Sequence, residues 1–169
     1  MTATAEERLA ALGIDLPGPF PPHDPLLAVV VNGGVARTSG QLPRNHAGGI
    51  RTGRLGHDVT IDDGADAARW CALNALSVLR SELGSLDAIS RVLNVTGYVA
   101  CVADFAGQPA VIDGASRMLV EVFGDRGRHT RSAIGVAALP RGGCVEIEVT
   151  VALVADLAFP TPATSGEGD

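Results

Sequence analysis

There is no lysine in this sequence; all 13 basic residues of the 169 are arginine. Without a lysine there is no Schiff base to substrate or to pyridoxal phosphate, so pyridoxal chemistry of the usual kind is excluded. A phosphate-cradling Walker A loop is excluded too, despite the glycine-rich stretch AGGIRTGRLGHD at 47–58, because that motif ends in a lysine. Cysteine is scarce: Cys71, Cys101 and Cys144 are an odd number at wide spacing with no CxxC pair, which indicates neither a zinc site nor a disulfide framework. Basic charge is in deficit, with a net charge of −6, and this opposes nucleic-acid binding through phosphate neutralisation. No apolar run approaches the roughly 20 residues of a membrane span. The opening MTATAEERLAALG has no basic region followed by an apolar stretch and does not read as a signal peptide, so a cytoplasmic location is expected.

What is present is a globular composition, 46% hydrophobic and 19% charged, of a length that suits one domain. Thr4 and Glu7 make a capping box, which predicts a short helix ending at Gly13. LPGPFPPHDP follows and cannot be regular structure. LLAVVVNGGVARTSG predicts a hairpin about Asn32-Gly33. A long polar loop over 42–58 carries Arg44, Arg51 and Arg54. Thr60 caps a predicted helix that runs through Leu83, with Ala68, Ala72, Ala75, Leu76, Leu79 and Leu83 on one face. A buried strand over 91–102, a helix over 109–123 and two strands near 132–138 and 144–155 complete the order. The expected architecture is α+β: one mixed sheet with two helices packed on one face. The expected division is an N-terminal helix and proline-rich arm over 1–25, one domain over 26–155 and a disordered tail over 156–169.

The last predicted strand poses a chemical question. Val145, Ile147, Val149 and Val151 point one way, while Glu146 and Glu148 point the other. A strand with one wet face accounts for the pattern, and so does a carboxylate in the wall of a cleft, placed to handle a water or a proton. Arg131 stands just before the preceding strand; it is either a surface arginine or a planar fork for a carboxylate. The pairs His23-Asp24 and His57-Asp58 lie in expected loops and are weak metal candidates. No cofactor and no metal is called for.

SGQLP at 39–43 and RSAIGVAALPRGGCVEIE at 131–148 resemble the two signature segments of the Rid/YjgF family, the reactive-intermediate deaminases once called endoribonuclease L-PSP. The likeness runs from about 26 to 155, and the stretches GGIRTGRLGHDVTIDDG and QPAVIDGASRMLVEVFGDRGRH look like a subgroup with an extended N-terminus. The resemblance implies a chorismate-mutase-like fold assembled as a homotrimer with clefts between subunits, and hydrolysis of enamine or imine acids to keto acids and ammonia. It implies that Arg131 grips the substrate carboxylate and that Glu146 positions water. Ser39 and Gly40 would line the pocket, with Asp113 where the family often has asparagine. Two further positions depart from the family pattern: Leu26 replaces a frequent tyrosine and Ala133 a frequent cysteine, both making the pocket more apolar. Three alternatives stay open: the same scaffold turned to a larger apolar substrate, a non-catalytic module for small carboxylates, and a ribonuclease, which the charge and the histidine spacing oppose.

Overall fold

The computed structural model describes residues 3–155. Helix α1 (Ala5–Ala11) opens on the predicted capping box: the Thr4 side chain accepts from Glu7 N, and the Glu7 carboxylate accepts from Thr4 N at 2.9 Å. Ala5 and Leu9 of this helix belong to the same hydrophobic core as the rest of the chain. The proline-rich segment after it forms neither helix nor strand.

Strands β1 (Val29–Asn32) and β2 (Val35–Thr38) form the hairpin, but one residue later than expected. Asn32 pairs with Val35, so the turn is Gly33-Gly34, both at positive φ (57° and 77°). Two glycines at positive φ fit a two-residue hairpin turn better than Asn-Gly does here, because Asn32 is needed as the last rung of the ladder. Helix α2 (Ile61–Leu83) begins at Thr60, whose hydroxyl oxygen accepts from Asp63 N, and stops at Gly84. Strand β3 (Ile89–Ala100), helix α3 (Gln108–Phe123), strand β4 (Thr130–Val136) and strand β5 (Val145–Leu153) follow in the predicted order. Arg131 therefore lies inside β4 and not ahead of it.

The sheet order is β1-β2-β5-β3-β4, with β3 and β4 parallel and every other pair antiparallel. Helices α2 and α3 cover one face. Ala68, Ala72, Ala75, Leu76 and Leu79 are fully buried there, opposite Val145, Ile147, Val149 and Val151. Truncating Leu76 or Leu79 to alanine should cost about 2–5 kcal/mol, because a core this closely packed refills only in part. The uncovered face is mixed, and it carries the two glutamates of β5 as the alternation along that strand predicts. Glu146, Glu148 and Thr150 lie there beside their cross-strand partners Tyr98, Thr96 and Asn94, interspersed with exposed Ile134 and Val30. The tail expected to be disordered, 156–169, lies outside the described residues.

Candidate functional site

Directly after β2 the chain turns across the edge of β5. Gln41 N donates to Ile147 O at 2.9 Å and Ile147 N donates to Gln41 O at 3.0 Å, pinning residues 39–41 beside the start of β5. Ser39 N donates to Ala28 O, and the Gln41 amide donates to both the backbone oxygen and the hydroxyl of Ser39. This clamp holds Gly40 against Glu146. A Cβ on residue 40 would sit 1.8 Å from Glu146 Oε1, so a bare backbone is what lets the carboxylate lie where it does.

Glu146 opens into a cleft of about 240 Å³. One wall is apolar, built from Phe20, Pro22, Leu26, Leu42 and Ile50. Ser39, Gly40 and Gln41 supply the polar floor, and Arg44 and Arg141 stand at the rim. Among the described residues, no side-chain hydrogen bond or ion pair involves the Glu146 carboxylate, whereas Glu148 is bound to Arg37 at 2.8 Å. Burial and the neighbouring Glu148 charge push the Glu146 carboxyl above the usual carboxylate range. The two glutamates share a strand face, yet one is spent on an ion pair and the other is free.

Arg131 sits elsewhere. It is the cross-strand neighbour of Val95, which is buried under the helices, while Glu146 is the neighbour of Tyr98 on the uncovered face. Neighbours in register share a face, so Arg131 and Glu146 occupy opposite faces of one sheet. The structure brings Leu26, Ser39, Gly40 and Glu146 together and brings Arg131 and Asp113 together, but it does not join the two groups within one chain. Arg131 Nη1 donates to Asp113 Oδ1 at 2.8 Å and to Ser116 Oγ at 3.0 Å, both on α3. Ser116 Oγ is 3.1 Å from His129 Nε2, and His129 Nδ1 is 2.6 Å from Gly127 O. A carbonyl can only accept, so Nδ1 carries the proton and Nε2 accepts from Ser116. Burial, and to a lesser degree the Arg131 charge, keeps the His129 pKa below its ordinary value and the ring neutral. Ala133 packs against the hydrophobic core.

Sequence reasoning missed Ser116, His129, Gln41 and Arg141 as parts of these sites and left Arg44 in a loop of no stated role. The only signal for Gln41 was its place inside SGQLP. His129 and Ser116 carried none, since they meet through the turn between α3 and β4. Among the described residues no three histidine, cysteine, aspartate or glutamate side chains gather where they could hold a metal, and no helix is long and apolar enough to cross a membrane.

A five-stranded mixed sheet with two long helices on one face, and a glutamate facing a cleft beside the second strand, defines an α+β fold of the chorismate-mutase-like class. A family model described as "YjgF/chorismate mutase-like, putative endoribonuclease" matches residues 6–153, and the chain belongs to that family. The match takes in most of α1 and the proline-rich segment. The protein TCP17 of Trypanosoma cruzi is 41% identical over 158 residues, covering 90% of this chain and 99% of that protein. Among solved structures, Atu1372 of Agrobacterium tumefaciens, a protein of unknown function, is 38% identical with a TM-score of 0.80 over 89% of this chain and 92% of its own. A "putative endoribonuclease" of Shewanella oneidensis is 30% identical with a TM-score of 0.85, covering 89% of this chain and all of its own.

Proposed function

We propose that the protein hydrolyses 2-imino or enamine acids to 2-keto acids and ammonia, at a site completed between copies of the chain. The observation that carries this reading is Glu146: a half-buried carboxylate with no side-chain partner among the described residues, in a largely apolar cleft, with its pKa raised by burial and by Glu148. An enamine first moves a proton from nitrogen to carbon and becomes an imine. Glu146 then takes a proton from water as the water oxygen bonds to the C=N carbon. That proton passes on to nitrogen, giving a carbon that bears both OH and NH2; Glu146 then carries the hydroxyl proton to the same nitrogen, the C–N bond breaks, and ammonia leaves as the C=O forms. Arg131 holds the carboxylate, and because it faces away from Glu146 in its own chain it serves the cleft of a neighbouring copy. A homotrimer meets that requirement with three equivalent sites.

The test is a coupled assay in which an amino-acid oxidase generates the imine and its decay is followed. Glu146→Gln should lower turnover by about 100-fold or more while keeping keto-acid binding, in line with the usual worth of a positioned acid–base group. Glu148→Gln should have a small effect. If neither substitution slows decay, the protein is a binding module for small carboxylates. Light scattering checks the assembly, and a stable monomer at micromolar concentration would remove the shared site.

A further inference from the structure

The cleft that holds Glu146 also holds two arginines that the hydrolysis of a simple imino acid does not use. Arg44 lies over the ring of Phe20, 4.2 Å from its centroid. Its backbone oxygen accepts from the Asn74 amide at 2.8 Å, so the strand-like start of the 42–58 loop is held to α2. Arg141 stands across the cleft, in the turn between β4 and β5. Neither guanidinium takes part in an ion pair or a side-chain hydrogen bond among the described residues. Arg131, by contrast, is already paired to Asp113.

Two further observations set this pair apart from surface arginines. First, burial and, after it, the charge of Arg141 lower the Arg44 pKa, which places the two guanidinium groups near enough to repel. Second, Arg141 has φ of 57° and is the one non-glycine residue at positive φ among the described residues. The flanking turn offers a glycine at the very next position, Gly142. A non-glycine side chain in the left-handed region costs on the order of 1–3 kcal/mol, and such outliers gather at ligand-binding positions. The backbone bears this conformation where an arginine is what reaches the rim.

We infer that Arg44 and Arg141 form a subsite for a second anionic group, so that the substrate of this cleft is a 2-imino acid whose side chain is a short apolar stem ending in a carboxylate or phosphate-type acid. The inference rests on the hydrolytic reading above for the first acid group and for the role of Glu146. The stem passes along Leu26, Leu42 and Ile50, which offer it no hydrogen-bonding partner and gain from its burial. The far acid meets two guanidinium forks, the geometry that suits both carboxylate and phosphate oxygens. An anion placed between two like charges relieves their mutual repulsion, the more so beside the partly buried Arg44.

Calorimetric titration of the full chain tests this with three keto acids: 2-oxobutanoate, which has one acid group, 2-oxoglutarate, which has two, and 2-oxo-4-phosphonobutanoate, which ends in a phosphonate. At least one of the two double acids should bind about tenfold or more tightly than the single acid, as one charge-assisted contact allows. Whichever is tighter identifies the second group. Arg141→Asn keeps a side chain that tolerates the left-handed region and should bring that ratio down to within about threefold. Arg69→Gln removes the same charge from α2, outside the cleft, and should leave the ratio as it was. Equal binding of single and double acids by the unaltered protein overturns the subsite. So does an equal loss for all three acids in Arg141→Asn, and that result would also move the primary carboxylate grip from Arg131 to Arg141. Selective binding of a double acid without any imine hydrolysis keeps the subsite and overturns the deaminase reading.

Discussion

The two arginine regions of this molecule differ in how their charge is met. At the outer edge of the sheet, Arg131 is held by Asp113 and Ser116, with Ser116 itself held by a neutral His129. At the rim of the cleft, Arg44 and Arg141 have an aromatic ring and each other. The first arrangement is a cation fixed in place by side chains of its own chain; the second is a pair of cations with no ion-paired side chain among the described residues. A partner already in place gives orientation at the expense of competition: on the proposed reading a substrate carboxylate would share Arg131 with Asp113. The free pair gives attraction without orientation. The same contrast runs along β5, where Glu148 is tied to Arg37 and Glu146 is left free.

The largest expected effect comes from closing the gap that keeps Glu146 in place. In Gly40→Ala the new methyl would fall 1.8 Å from Glu146 Oε1. The obstructed atom is the end of a flexible side chain, so the carboxylate swings away and the fold survives. Turnover should drop about 100-fold, as for Glu146→Gln, with the melting temperature little changed. Retained turnover in Gly40→Ala would show that the carboxylate position seen here is not the working one.

Next in size are the changes at the sheet edge. Arg131→Ala should weaken 2-keto acid binding about tenfold or more, since a charge-assisted bond contributes roughly 1.5–3 kcal/mol. Arg131→Lys should recover part of that, because an ammonium cannot present a fork to Asp113 and the ligand together. Asp113→Asn removes the internal competitor and should tighten binding by several-fold; weaker binding instead would mean that Asp113 orients Arg131 more than it occupies it. Titration of a single-acid keto acid into each variant decides among these.

A smaller shift is expected at Leu26, which is 53% exposed on the apolar wall of the cleft. Leu26→Tyr brings a hydroxyl to a surface that otherwise offers the stem of the substrate only carbon. The ratio of kcat/KM for 2-aminoacrylate to that for longer imines should rise by about three- to tenfold, since a polar group left unpaired on burial costs on the order of 1–3 kcal/mol. A preference for 2-aminoacrylate in the unaltered protein would make leucine at this position inconsequential.

Much of the fold was legible because local signals agreed with global ones. Thr4, Thr60 and Gly84 mark helix ends by backbone chemistry that needs no tertiary context, and the alternation along β5 states which face is covered. The hairpin slipped by a residue because Asn-Gly and Gly-Gly both suit a tight turn, and only the pairing of Asn32 with Val35 chooses. The cleft was half legible. Ser39, Gly40 and Glu146 stand in motifs, and Leu26 is marked as a departure from a frequent tyrosine of the family. The separation of Arg131 from Glu146 depends on which face each strand turns to the helices, and it appears only once β3 lies between β4 and β5. Arg141 was hidden in a turn whose glycines looked sufficient to explain it.

The smallest expected effect is on stability, and it tests the free state of Glu146 without any ligand. Burial and Glu148 raise the Glu146 pKa in the folded chain above its value in the unfolded one. As pH climbs, the unfolded chain releases this proton first, so the group costs stability progressively, and the full cost stands above the folded pKa. Glu146→Gln removes that cost. It should raise the melting temperature by about 1–3 °C at pH 7, a modest figure because the group is half exposed and screened by solvent. The gain should shrink as pH falls through the ordinary glutamate range, near about 4.3, where both states keep the proton. Glu148→Gln should behave in the opposite sense at pH 7, since it breaks the contact with Arg37. Thermal melts of the three proteins between pH 4 and pH 8 measure both. A Glu146→Gln protein less stable than its parent at pH 7 would mean that the carboxylate has a partner in solution, and the contrast between the tied and the free glutamate would be lost.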